Sequence, residues 1–145
     1  MSHFYNMTTR LIAQDAAIRR AEELRVAEAE RVAAANYERG KELGHLFAQN
    51  IAHVSHLRKL AAMERTEGEF LSSLLRSRSA GFSACQSSPS YADEMARLLG
   101  TPALKAESLF GEDAPSVGLD HLRGFIAAVL DDWKAVQAEV DAAHH

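Results

Sequence analysis

Apolar positions three to four apart keep one seam through most of residues 9–78, a stretch of seventy residues without a proline. That interval keeps side chains on one side of an α-helix. The pattern is strongest from 43 to 75, where Leu43, Phe47, Asn50, Val54, Leu57, Ala61, Glu64, Gly68, Leu71 and Leu75 form one seam. It falters at Glu64–Gly68, within the sequence ERTEGE, which marks a kink or turn. Upstream, residues 10–39 are rich in Ala, Arg and Glu, the composition of a helix by propensity. Continued backwards, the same spacing gives Leu11, Gln14, Ile18, Ala21, Arg25, Ala29, Val32 and Asn36, of which only Leu11, Ile18 and Val32 are large and apolar. Such a segment suits a polar arm or close packing through alanines. Near the other end, Leu122, Phe125, Ile126, Val129, Leu130, Trp133, Val136 and Val140 draw a second amphipathic stripe.

Punctuation divides this pattern. Thr8 or Thr9 is placed to cap the first helix after a short lead-in. Gly40 could end it, but the Lys-Glu-Leu that follows offers no cap for a new start. A helix continuous or kinked through Gly40–Gly44 is therefore expected over a hairpin there. Unbroken to residue 78, it would be about 105 Å long at 1.5 Å per residue, which would require a partner. Residues 76–90, RSRSAGFSACQSSPS, read as a loop. Pro89 suits the first position of a helix capped by Ser88, with Gly100 ending it. Thr101–Pro102 restarts a short helix, and Ser116 or Asp120 caps the last one. The expected fold is all-α, with coiled-coil or bundle-like packing. A long helical segment (1–78) is followed by a Ser-rich linker (79–90) and a small helical unit (91–145).

Charge adds a constraint. The net charge is −4, against the strong positive excess of a general nucleic-acid binder. It is also uneven, since residues 91–145 hold ten acidic but only four basic side chains. The one cysteine, Cys85, permits no internal disulfide. The start carries no signal-peptide pattern, and the longest apolar run, Phe125–Leu130, is far below the roughly 20 residues of a membrane span. These features point to the cytoplasm or the interior of a larger assembly.

Chemistry-bearing motifs are few. His45, His53 and His56 are the one tempting cluster, and only His53 and His56 share a helix face. Carrying the helical phase forward from Leu43 turns His45 and His56 away from the seam, toward solvent. Two ligands beside Arg58 and Lys59 do not make a zinc site, so no metal or other cofactor is expected. The segment ADEMARLLGTPALKAESLF loosely resembles the helix-turn-helix of bacterial repressors. Its second helix, however, offers Lys105 among Glu107, Glu112 and Asp113, an acidic setting that phosphates would avoid. No phosphate loop, nucleophile elbow or CxxC pair is present.

The expectation is thus a non-enzymatic helical protein that self-associates or docks into a larger complex. Its architecture is similar to that of components of secretion machines and phage particles. The residues expected to bind the partner are Leu43, Phe47, Asn50, Val54, Leu57, Ala61, Leu71 and Leu75, with Asn36 and Asn50 as register-setting polar positions. Two alternatives belong to other classes. One is a regulator or inhibitor acting through the acidic C-terminal region; the other is a metal-binding helical bundle.

Overall fold

The computed structural model describes residues 2–85, 89–100 and 104–143, with side chains from residue 6 onward and none for 81–85. The chain is all-α, and no strand occurs among the described residues. Among the described residues six helices follow in order: α1 (Ser2–Asn50), α2 (Val54–Met63), α3 (Glu69–Cys85), α4 (Tyr91–Leu99), α5 (Ala106–Phe110) and α6 (Leu119–Ala143), with a 3-10 turn (Gly111–Ser116) before α6. Two compact units result, residues 1–35 and residues 36–145.

The first unit is the N-terminal part of α1. The helix begins at Ser2, so Thr8 and Thr9 lie inside it rather than capping it. Every residue from 6 to 32 is exposed. What supports the helix there is local: alanine-rich composition and the ion pairs Asp15–Arg19 (2.5 Å), Glu22–Arg25 (2.9 Å) and Glu28–Arg31 (2.5 Å). Each such exposed pair contributes only about 0.2–0.5 kcal/mol.

The second unit is built on the crossing of α1 residues 36–50 with α6. Neither Gly40 nor Gly44 breaks the helix. Both are where the two backbones meet. A Cβ on Gly40 would fall 2.0 Å from the His121 carbonyl oxygen, and one on Gly44 would fall 2.6 Å from that of Phe125. From the other side, a Cβ on Gly124 would fall 2.0 Å from the Tyr37 carbonyl oxygen. Gly40 and Gly44 thus lie against His121 and against Phe125 and Ala128 of α6, and Gly124 lies against Tyr37 and Lys41 of α1, an arrangement that lets helix backbones touch without a layer of side chains between them. Around this crossing, Phe47, Leu60, Phe70, Leu74, Met95, Leu99, Phe110, Leu122, Phe125 and Val129 are almost fully buried. Phe125 sits between Phe47 and Phe110, with ring centroids 5.4 and 4.8 Å away, spacings at which aromatic pairs add to area burial.

The breaks between helices are satisfied locally. At the end of α1 the Asn50 side-chain amide donates to the Leu46 carbonyl (3.1 Å), and the Ile51 and Ala52 amides donate to that of Phe47. The turn between α2 and α3 confirms the faltering seen at ERTEGE. Gly68 takes a positive φ of 84° there, and the Glu64 carboxylate accepts from the amides of Phe70 (2.7 Å) and Gly68 (3.3 Å). Glu69 accepts from those of Arg65 and Thr66. Open amides at a helix start are met by carboxylates, as the backbone requires.

Two local expectations are corrected. Helix α3 continues through residues 76–85, where the serine content indicates a loop. Tertiary contacts override that weak propensity: Leu74 is buried, Ser77 donates to Glu94 (2.5 Å), and Arg78 donates to the Pro89 carbonyl (2.7 Å) while stacking on Tyr91 at 4.2 Å. Ser90, not Ser88, caps α4; its Oγ accepts from the Asp93 amide at 3.1 Å. Ser88 itself and the Thr101–Pro102 restart lie outside the described residues.

Candidate interaction surfaces

The eight residues expected to bind a partner do not form one surface. Leu43, Phe47 and Leu57 are buried in the core of the second unit, and Ala61 and Leu71 pack partly against it. Asn50 and Val54 are exposed and Leu75 is at the margin of exposure. The seam is broken at Ile51–His53 and again at Glu64–Gly68, so its parts lie on three separate helices. The consumer of its strongest part is α6 of the same chain. Asn36 is half-buried, and the Asn50 side chain is occupied at the end of its own helix.

The histidines serve the fold. His56 is buried rather than solvent-facing, because α2 starts afresh at Val54 and the helical phase of α1 does not carry across the break. His56 is the third residue of α2, and its Nδ1 accepts from the amide of the N-cap residue His53 at 3.1 Å. His121 repeats the device at the start of α6, where its Nδ1 accepts from the Gly118 amide at 3.1 Å. An imidazole does here what a glutamate does in a capping box, and the accepting Nδ1 puts the ring proton on Nε2. His45 pairs with Asp132 across the α1–α6 crossing at 2.9 Å. Among the described residues, no group of three or more His, Cys, Asp or Glu side chains is placed to hold a metal ion.

Several acidic groups of the C-terminal region are likewise engaged internally. Glu94 is almost wholly buried and bonds Arg97 and Ser77. Burial pushes its carboxyl pKa up, but those hydrogen bonds and the charges of Arg97 and Arg78 outweigh it and leave the pKa below the ordinary value. Asp113 accepts from Arg39 at 2.7 Å. That hydrogen bond, opposed by burial and aided by the charge of Arg39, holds Asp113 below the ordinary carboxylate range. With Asp132 tied to His45, the acidic excess of residues 91–145 is partly spent on holding the second unit together.

A cleft of about 560 Å³ opens in the second unit between Tyr37 of α1, the Glu64–Gly68 turn and α6. Its floor is Leu71, Ile126, Ala127 and Leu130, and its rim is Arg65, Glu67, Arg123, Asp131 and Lys134. The lining contains no Ser, Thr, Cys or His. Glu64, the one carboxylate deep enough to matter chemically, is committed to the start of α3. The rim mixes both signs of charge and selects no ligand class.

The first unit is different in kind. Met7 (46%), Leu11 (51%), Ile18 (64%) and Val32 (46%) keep about half their surface in water, and at 100° per residue all four fall within about 60° of arc. Ile12, Leu24 and Val26 are also exposed but lie off this stripe. The sequence signal for the stripe is the seven-residue spacing of Leu11, Ile18 and Val32, with Arg25 between. It is masked by the stronger apolar density downstream, which turns out to be core. Among the described residues, no helix is long and apolar enough to cross a membrane. No protein-family model matches the chain, and neither a curated protein nor a solved structure matches it.

Proposed function

We propose that this chain is a non-enzymatic helical assembly protein, which self-associates or docks into a larger protein complex through the stripe on residues 7–32. It would work in the cytoplasm or inside such an assembly. One observation carries this reading: the only long run of described residues without a buried side chain holds four large apolar residues on a single helix face. A monomer leaves that face in water, where each half-exposed Leu, Ile, Val or Met forgoes roughly 1 kcal/mol of burial. A helix carried mainly by propensity and exposed ion pairs has little other support. In the second unit Leu43 and Phe47 of α1 and Leu122, Phe125, Ile126, Val129 and Trp133 of α6 are buried, and the apolar residues left exposed there, such as Leu46, Ile51, Val136 and Val140, are scattered over several elements and the end of α6.

Sedimentation velocity over a dilution series tests the reading. The expected result is a species heavier than the 15.9 kDa chain, dissociating on dilution. A 15.9 kDa monomer at every concentration would overturn it.

A further inference from the structure

We propose that the partner covering the arm is the arm of a second copy of this chain, lying side by side with it and parallel to it; this rests on the assembly reading above. The argument is the distribution of charge about the stripe. At 100° per residue, the half-circumference on one side of the stripe carries Asp15, Glu22, Glu23 and Glu30, with Arg19 as its one cation. The other half carries Arg10, Arg20 and Arg31, with Glu28 as its one anion, while Arg25 lies within the stripe itself. The arm is nearly neutral along its length but strongly polarised across it.

Two identical helices can bring their stripes together in two senses. If they are antiparallel, the two-fold axis lies across them, and the acidic side of one copy meets the acidic side of the other. If they are parallel, the axis runs along them, and each acidic side meets a basic side. Only the parallel pair is complementary, and flanking charges set orientation in helical pairs in this way. Other partners lack such an argument: the rim of the cleft has no dominant sign, and a partner of uniform charge would suit only one side of the arm.

Arg25 interrupts the apolar stripe, and two copies of it would face each other at the same level of a parallel pair. Its guanidinium already bonds Glu22 of its own helix at 2.9 Å, which draws the charge to the flank and leaves the stem in the stripe. A single polar layer of this kind weakens a pair while fixing its register.

The test uses the full chain. With Cys85→Ser removing the one native thiol, Leu11→Cys and Val32→Cys proteins are made separately, mixed and oxidised. The expected products are Leu11→Cys joined to Leu11→Cys and Val32→Cys joined to Val32→Cys; mixed disulfides between the two positions overturn the parallel arrangement. Ile18→Asp should raise the dissociation constant at least tenfold in sedimentation, and Arg25→Leu should lower it by a similar factor. Both positions are exposed in the isolated chain, so neither change threatens its fold. Mixed disulfides in an oligomer that Ile18→Asp does weaken overturn the parallel arrangement and leave the assembly reading standing, whereas an oligomer that neither variant affects overturns both. A monomeric parent protein overturns both.

Discussion

Residues 6–32 and residues 36–50 belong to the same helix and share much of their composition, yet they are held in opposite ways. In the first segment every side chain is exposed, and stability comes from alanine and from ion pairs three or four residues apart. In the second, glycines replace alanines, propensity is poor, and the helix persists because α6 lies against its backbone. The comparison teaches that helix propensity and helix stability can run against each other. Gly40 and Gly44 each cost about 1 kcal/mol relative to alanine in an isolated helix, but here they are the condition for packing.

The largest expected effect falls on that crossing. Gly124→Leu would drive a side chain into the Tyr37 carbonyl and should abolish cooperative unfolding of the second unit in calorimetry. Ala17→Leu, in the arm, should shift the melting temperature by no more than about 2 °C, since surface substitutions usually stay within about 0.5 kcal/mol. Next comes the core. Phe47→Ala should cost about 3–5 kcal/mol by urea denaturation, whereas Leu24→Ala, on the exposed segment, should change stability by less than about 0.5 kcal/mol. A large loss from Leu24→Ala would break the contrast between the two segments.

Polar contacts give smaller effects. Glu94→Gln should destabilise the second unit by about 1–3 kcal/mol near neutral pH, by weakening charge-assisted bonds to a buried acceptor. The folded Glu94 carboxyl titrates below its ordinary value of 4.5. Its contribution is therefore complete above about 4.5 and is lost as pH falls through the lower, folded value. The difference between parent and variant should close on acidification, and a difference that grows instead would contradict the assignment. Ser90→Ala, removing the cap of α4, should cost about 1 kcal/mol, measurable as a small drop in the urea midpoint.

Much of the fold was legible in the sequence. The fold class, the continuity of the helix through Gly40–Gly44, the break at ERTEGE and the stripe of α6 all follow from spacing and punctuation. The candidate site was less legible, for a physical reason. Periodicity reports that a helix has an apolar face, but it cannot report which face the chain itself covers. Leu43, Phe47 and Leu57 make the better stripe and for that reason are taken up by the core, leaving the poorer stripe of Met7, Leu11, Ile18 and Val32 in water. The helical extent of residues 76–85 and the burial of His56 were hidden for a related reason. Both depend on contacts with elements distant in the sequence or on a helix break that resets the phase.

The α1–α6 crossing also bears on the order in which the molecule can assemble during synthesis. His45 and Asp132, which meet across it, are 87 residues apart in the chain. A ribosome therefore releases residues 36–50, with their glycines and their apolar face, long before the helix that covers them exists. Contacts of such separation form late, and an uncovered apolar helix is the kind of surface on which nascent chains associate. Chains stalled before residue 119 should therefore leave Phe47 open to protease, and chains stalled well past residue 143 should protect it. The glycines that give the finished unit its tightest contact leave the growing chain without it until the last helix arrives.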